Sequence, residues 1–268
     1  AFALAPLTRT VPYLEEGDWV VIDATSADIR NHKGEPVSRP KVESTVNDAL
    51  IERGAYDHFM LKEIHEQPES LARTVLPYVH QATGGLVDAP GLTELFAGAD
   101  RAVAIACGTA FYAAQTAKYW FEQIAKLAVE TDIASEFRYR APVLPISGPA
   151  IFVSQSGETA DTLAALRYCQ TNKTPAVAIV NVPESSIARD AHTVVPTYAG
   201  PEIGVASTKA FTAQLAVLAT VVLQAAKARG HLQPSDEVAY VNGLMALPRK
   251  VATAIAEDHQ IERIARDL

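Results

Sequence analysis

The feature that most constrains this fold is an alternation of short apolar runs with helical segments in the middle of the chain. Mainly apolar runs at residues 102–106, 127–132, 150–154, 176–180 and 194–197 have the length and β-branched content of buried strands. Segments with the spacing of helices separate most of them. Apolar strands that alternate with helices form a parallel sheet covered on both faces. The sequence therefore predicts an α/β fold, a three-layer α/β/α domain with a five-stranded parallel sheet.

The most informative loop follows the third of these strands. Residues 154–157 are Ser-Gln-Ser-Gly, and Thr159 precedes a segment with helical spacing. A strand, a polar loop and a helix N-terminus can bind an anion, because the N–H groups of the first helical turn are unpaired. Gly157 would let the backbone come close to a ligand. The same residues also suit a Ser/Thr helix cap with a solvated turn, and composition alone leaves both interpretations open.

Two further loops begin at Cys107 and Gly200, each after a predicted strand. In open parallel sheets, ligands bind beyond the carboxyl ends of the strands, where the strand order reverses. We therefore expect these loops and the loop at Ser154 to meet at one edge of the sheet.

The net charge argues against several classes of partner, and the cysteine content indicates the type of compartment. The chain has 23 Lys and Arg against 31 Asp and Glu, a net charge of −8, which argues against nucleic acid or an anionic membrane. Two cysteines, Cys107 and Cys169, cannot make a disulfide framework and suit a reducing, cytoplasmic compartment. The most apolar stretch, residues 213–226, is interrupted by polar residues and is short for a membrane span. It predicts a buried core helix in a soluble protein.

The first forty residues differ from those that follow. Runs at 11–14 and 19–22 flank a polar turn and predict one β-hairpin, and residues 28–37 predict a second around Gly34. Such a segment is too short to form a stable core of its own. It is therefore expected to be the end of a β-rich domain or a segment that packs on the domain that follows. Residues 41–55 are predicted to be a linker. The chain opens without the basic residues of a signal peptide and without methionine, which indicates a piece of a longer protein.

Helical segments flank the alternating region. They are predicted at residues 56–67, from Pro68 to about 79, and over 234–268, where Pro248 should start or kink a helix. His58 and His65 share a helical face, but His65 and Glu66 are adjacent in sequence and make no metal site, so none is predicted.

The loop at 154–163, Ser-Gln-Ser-Gly-Glu-Thr-Ala-Asp-Thr-Leu, resembles the phosphosugar signature of the sugar isomerase (SIS) domain. It lacks the Gly-Lys-Ser/Thr ending of a Walker P-loop. Further stretches, together with this loop, resemble the glucosamine-6-phosphate synthase family from about Tyr13 to Leu268. They are Phe-Met-Leu-Lys-Glu-Ile-His-Glu-Gln-Pro from 59, Ala-Cys-Gly-Thr from 106, Tyr-Trp-Phe-Glu from 119, Ile-Ala-Ser-Glu-Phe-Arg-Tyr-Arg from 133 and Glu-Ile-Gly-Val-Ala-Ser-Thr-Lys from 202.

The resemblance implies an amidotransferase that converts fructose 6-phosphate and glutamine to glucosamine 6-phosphate and glutamate. It implies no metal or organic cofactor, because an aldose–ketose shift proceeds by proton transfer. It makes residues 1–40 the end of a glutaminase domain, 56–233 the first SIS domain and 234–268 a helical connection toward a second. The family's cysteine nucleophile, glutamate base and Schiff-base lysine match no position here, so no catalytic residue is assigned and the chain alone is expected to be inactive. Lys209 is expected to cap or pack its helix.

Seven residues are assigned to substrate binding by motif position. Four should hold the phosphate, Thr109 should contact the ligand from the first loop, and Val205 (by its backbone) and Ser207 should contact the sugar. The four are Ser154, Gln155, Ser156 and Thr159. Ala110 stands where the family commonly has serine, and one lost neutral hydrogen bond is worth about 1 kcal/mol, so binding should be weaker and not abolished.

One other function stays open, and a second is set aside. SIS domains also serve as non-catalytic phosphosugar sensors, although this chain has no helix-turn-helix or basic patch. A Rossmann nucleotide site is disfavoured because residues 107–110 lack the Gly-x-Gly-x-x-Gly spacing. The resemblance further implies a homodimer through the SIS domain, and apolar residues within 244–264 are candidates for the exposed surface.

Overall fold

The chain divides into two units, Ala1–Ala55 and Tyr56–Leu268, in the computed structural model. The structure describes residues 8, 10–43 and 52–267. The opening residues that were compared with a signal peptide lie outside the described residues, as does part of the predicted linker. The domain assignments implied by the resemblance stay predictions.

The described residues of the first unit form four short strands: β1 (Thr10–Pro12), β2 (Trp19–Ile22), β3 (Ala27–Arg30) and β4 (Lys41–Glu43). They form two antiparallel pairs, β1 with β4 and β2 with β3.

The predicted hairpin between residues 11–14 and 19–22 is therefore wrong. Asp23 explains the different pairing, because its carboxylate accepts hydrogen bonds from the N–H groups of Thr25 (2.7 Å) and Ser26 (2.8 Å). This Asp-stabilised turn connects β2 directly to β3. The second predicted turn is present, since Arg30 and Pro36 form an antiparallel bridge around Gly34.

The second unit holds the remaining helices and strands. Ahead of its large sheet lie α1 (Phe59–His65), α2 (Gln67–Val75), β5 (Val79–His80), β6 (Gly85–Leu86) and α3 (Leu92–Ala97). The alternating region comprises β7 (Arg101–Ala106), α4 (Gly108–Trp120), β8 (Ala128–Ile133), α5 (Ala134–Phe137), β9 (Ala150–Ser154), α6 (Ala160–Thr171), β10 (Ala176–Val180), α7 (Ser186–Asp190), β11 (Thr193–Pro196) and α8 (Lys209–Ala228). Two helices follow, α9 (Pro234–Ile255) and α10 (Asp258–Arg266).

Five strands form one parallel sheet in the order β8–β7–β9–β10–β11. The predicted five-stranded parallel sheet is confirmed. The chain moves from β7 outward to β8 and then returns to the other side of β7 with β9, so the strand order reverses between β7 and β9. The loops after these two strands consequently diverge to opposite faces and leave a crevice at the carboxyl edge of the sheet.

Alternate residues of each central strand enter different cores. On β9, Ile151 and Val153 pack with α3, α4 and α8, while Phe152 packs with α5, α6 and α7. All three side chains are buried. Successive side chains point to opposite faces of the sheet, and both faces are buried. The central strands are therefore continuous apolar runs in the sequence.

The helix α8 is long and apolar enough to cross a membrane by length and composition alone. In the structure, however, 78% of its most apolar window is buried inside the domain, so the predicted core helix is confirmed.

The helix α9 runs continuously through Pro248, and the alternative that a helix starts at that proline is wrong. On α9, Leu244 packs against the core beside α2 and α8, whereas Ile261 and Ile264 on α10 are exposed.

Candidate functional site

A cavity of about 250 Å³ lies at the carboxyl ends of β7 and β9, where the strand order reverses. All seven residues assigned to substrate binding line it: Thr109, Ser154, Gln155, Ser156, Thr159, Val205 and Ser207. Ala110 lines it as well, which places the missing hydroxyl at the cavity wall. The three predicted loops therefore meet at one edge of the sheet.

The loop after β9 is held by its own side chains. The hydroxyl of Ser154 accepts a hydrogen bond from the Gly157 N–H (3.1 Å) and lies 3.1 Å from the Thr159 hydroxyl. The Ser156 hydroxyl accepts from the N–H of Glu158 (3.1 Å). A serine hydroxyl that accepts such a bond still has its proton to donate. Ser156 can therefore support the loop and donate to a ligand at the same time.

Gly157 packs against the neighbouring loop. Its φ of +66° is left-handed, and a Cβ atom there would lie 1.9 Å from Ser185 Oγ. Its carbonyl accepts from the N–H of Ile187 (3.0 Å), the second residue of α7. The sequence-based idea that Gly157 admits a ligand is thus corrected, because the residue is buried against Ser185 and is not among the residues that line the cavity.

Two helix N-termini open into the cavity without a side-chain cap. Cys107 precedes α4 and Thr159 precedes α6, both residues line the cavity, and neither side chain bonds the first turn of its helix. Unpaired N–H groups and the positive ends of two helix dipoles favour an anion at this point.

The N-terminus of α8 is occupied by a carboxylate. Glu202 accepts hydrogen bonds from the N–H groups of Thr208 (2.8 Å) and Ala210 (3.1 Å). It also accepts one from the Ser207 hydroxyl (3.0 Å). No lysine or arginine is found among the described residues that line the cavity. An anion must therefore be held by neutral donors on the side of α4 and α6.

The third loop rests on α1. The buried carboxylate of Glu63 accepts hydrogen bonds from the N–H groups of Ile203 (2.6 Å) and Gly204 (3.1 Å). Val205, next in the loop, is fully exposed to the cavity and solvent. Lys209 is buried and pairs with Glu66 (2.5 Å) without lining the cavity, in agreement with its predicted packing role.

Sequence reasoning missed Glu63, Glu202 and Gln214. Glu63 has no local signal, since it acts on backbone 140 residues away. Glu202 stands two residues before Gly204 and seven before the start of α8, and a capping acid at that distance has no standard spacing. Gln214 is one of the polar residues that interrupt the apolar stretch 213–226, and that pattern does not indicate a cavity beside it.

The two cysteines occupy contrasting places. Cys107 lines the cavity and is partly exposed, whereas Cys169 is fully buried on α6. Burial raises the pKa of the Cys169 thiol to about 12, because the charged thiolate loses solvation. At pH 8 this thiol stays protonated and unreactive. Alkylation of Cys107 can therefore report on occupancy of the cavity.

No group of three or more metal-ligating side chains occurs within the described ranges. His65 instead lies 3.2 Å from Asp258 through Nε2 and stacks on Tyr56.

Comparisons with known proteins agree with this geometry. A family model described as the SIS domain matches residues 95–224. The glutamine–fructose-6-phosphate aminotransferase (isomerizing) of Bradyrhizobium diazoefficiens is 52% identical over 268 residues, which are 100% of this chain and 44% of the relative. The enzyme of the same name from Brucella abortus is 48% identical, with the same coverage. The chain thus spans less than half the length of these curated relatives.

Among solved structures, the C-terminal domain of glucosamine-fructose-6-phosphate aminotransferase from Francisella tularensis matches with a TM-score of 0.75 and 40% identity. The match covers 80% of this chain and 60% of that one. These identities and coverages confirm the resemblance that the sequence predicted. Residues 95–224 form an SIS domain, in a chain that is similar over its whole length to glutamine–fructose-6-phosphate aminotransferases.

Proposed function

We propose that this chain binds fructose 6-phosphate and glucosamine 6-phosphate as the phosphosugar-binding part of an isomerising aminotransferase. The complete reaction would convert fructose 6-phosphate and glutamine to glucosamine 6-phosphate and glutamate, a step in amino-sugar synthesis. The names of relatives that are about 50% identical over the whole chain support this assignment. Two free cysteines and a net charge of −8 suit the cytoplasmic, reducing compartment that such metabolism requires.

One observation carries the proposal. Hydroxyl groups from the loop after β9 and two uncapped helix N-termini converge on a single cavity. That arrangement binds a phosphate dianion with neutral donors, because the unpaired N–H groups and the helix dipoles supply the complementary charge. The lack of lysine or arginine among the described lining residues is compatible with this mode of binding.

Each lining residue has a part in the proposed complex. Ser156, Thr159 and Gln155 donate to the phosphate, while Ser154 keeps the loop in place through Gly157. Thr109 contacts the ligand from the start of α4. The third loop faces the sugar with the backbone of Val205 and the hydroxyl of Ser207. We assign binding to this chain, because the carboxylate among the described lining residues, Glu202, is engaged at the N-terminus of α8.

Removal of single hydroxyls tests the phosphate site. Ser156→Ala and Thr159→Val should each weaken fructose 6-phosphate about tenfold or more, because a hydrogen bond to a charged group contributes about 1.5–3 kcal/mol. Calorimetric titration measures the affinity, and protection of Cys107 from alkylation confirms occupancy. Thr171→Val is the matched control, since its hydroxyl bonds only Arg167 O near the far end of α6. Wild-type affinity in both loop variants would contradict the site.

The proposal includes a homodimer formed through the SIS domain. Exposed apolar side chains on α10, Ile261 and Ile264, support a further contact surface on this unit. Sedimentation of the wild-type chain at micromolar concentration should show self-association. A single monomeric species at that concentration would remove this part of the proposal.

A further inference from the structure

Gln214 is a buried polar residue on the wall of the cavity. It belongs to α8, is 2% exposed, and lines the cavity together with the loops described above. Its side-chain oxygen Oε1 has no hydrogen-bond partner in the described part of the chain. A buried amide oxygen without a partner is unfavourable, and folded proteins rarely keep one without a reason.

A second glutamine on the same helix shows what a structural role looks like. Gln224 is also 2% exposed, but its Nε2 donates to the Val87 carbonyl (2.9 Å) and its Oε1 accepts from the Ala89 N–H (3.2 Å). Both ends of that amide are satisfied by backbone. The fold can therefore complete the bonding of a buried glutamine on α8, and at Gln214 it does not.

Position separates Gln214 from the other buried, unpartnered side-chain oxygens among the described residues. These are hydroxyl oxygens of Ser70, Thr162 and Ser185, and none of them lines the cavity. Gln214 is thus where a buried, unsatisfied acceptor coincides with space for a ligand.

The chemistry of a carboxamide indicates which part of a ligand it would contact. It offers an acceptor oxygen and two N–H donors and carries no charge, so it complements a hydroxyl group, which both donates and accepts. The anion is drawn to the other wall, where α4 and α6 begin. The carboxylate that lines the cavity, Glu202, is engaged at the N-terminus of α8. Gln214 is therefore suited to contact the uncharged, hydroxylated part of a ligand.

We propose that Gln214 hydrogen-bonds a hydroxyl group of the bound sugar and so distinguishes a sugar phosphate from phosphate alone. The inference rests on the proposed function, because it takes the ligand to be a phosphorylated sugar. It adds a specificity-determining residue that the loop motifs do not include.

The test compares two ligands and two glutamines. Gln214→Met, which keeps the side-chain length and removes both polar groups, should weaken fructose 6-phosphate about five- to tenfold. The affinity for inorganic phosphate should stay within about twofold, since no contact to the phosphate is lost. Gln224→Met is the matched control: it should lower the melting temperature, because it leaves Val87 and Ala89 without their partners, and should leave both affinities unchanged. Calorimetric titration and protection of Cys107 from alkylation are the two readouts.

The melting temperature distinguishes a ligand contact from a structural role. If Gln214 stabilised the fold, its replacement would lower the melting temperature. Gln214→Met should keep or raise the melting temperature, because it removes an unpaired buried oxygen. Gln214→Asn, which withdraws the amide by one methylene, is the second variant if the methionine form does not fold. It should lose affinity for fructose 6-phosphate in the same selective way.

Three results would overturn the inference. Equal losses for fructose 6-phosphate and phosphate would mean that Gln214 acts on the loop and not on the sugar. Wild-type affinities in both Gln214 variants would mean that the amide contacts only an ordered water. If the wild-type chain binds phosphate and not fructose 6-phosphate, the proposed function fails together with the inference. That last failure appears in the wild-type protein, and the first two appear only in the variants.

Discussion

Gly157→Ala is expected to abolish sugar-phosphate binding and to lower the free energy of unfolding by about 2–4 kcal/mol. The new Cβ would lie 1.9 Å from Ser185 Oγ and 2.5 Å from its Cβ, and the backbone would keep a left-handed φ of +66° that alanine resists. The loop must shift, and its hydroxyl donors would shift with it. Loss of two bonds to a charged phosphate corresponds to at least about a 100-fold weaker complex. Calorimetric titration and urea unfolding measure the two effects.

Two controls separate the contact from the backbone strain. Gly230→Ala imposes a similar φ of +72° with no heavy atom within 4 Å of the new Cβ, so it should cost only about 1–2 kcal/mol and leave binding unchanged. The double variant Gly157→Ala/Ser185→Gly removes both clashing atoms and should regain part of the affinity. If Gly157→Ala behaves like Gly230→Ala, the packing argument is wrong.

Glu63→Ala is expected to destabilise the protein by about 2–4 kcal/mol and to weaken sugar-phosphate binding about tenfold. It strips the acceptor from the N–H groups of Ile203 and Gly204, and a hydrogen bond to a charged group contributes about 1.5–3 kcal/mol. Affinity should fall because Val205 and Ser207 belong to the loop that these bonds hold. Urea unfolding and titration with fructose 6-phosphate check the two numbers.

Hydrogen exchange gives this prediction a local readout. The amides of Ile203 and Gly204 should exchange faster in Glu63→Ala, while those of the central strand β9 change only with global stability. Glu63→Gln keeps an acceptor oxygen and loses the charge, so its effects should be intermediate. Unchanged exchange at both amides in Glu63→Ala would show that the carboxylate does not support the loop.

Much of the second unit could be predicted because its signals are local. The strand at 150–154 is apolar on both faces and is followed at once by its polar loop, so both the sheet and one wall of the cavity follow from a single stretch. The meeting of the other two loops follows from a general property of parallel sheets, whose strand ends share an edge. The choice of the seven assigned residues came from the family resemblance, and their common location follows from this shared edge of the sheet.

The parts that could not be predicted depend on contacts between distant residues or on turn chemistry. Glu63 bonds backbone 140 residues away, and the role of Gly157 depends on Ser185 in another loop. The first predicted hairpin is wrong because the turn made by Asp23 pairs β2 with β3, in competition with the polar turn between residues 14 and 19. In the sequence, Gln214 is only a polar residue within an apolar helix, and its proposed role follows from the cavity that the fold places beside it.

The internal bonding of the loop after β9 has a thermodynamic consequence. Ser154 and Ser156 already bond the amides of Gly157 and Glu158, and the carboxylate of Glu158 accepts from the N–H of Ser186 at the start of α7 (2.8 Å). The loop is therefore preorganised, and the entropic cost of ordering it falls on folding and not on ligand capture. A small ligand with few contacts can then bind usefully, and its binding would add to the stability of the folded chain. In the proposed complex, the loop after β9 is a rigid receptor that folding completes before the ligand binds.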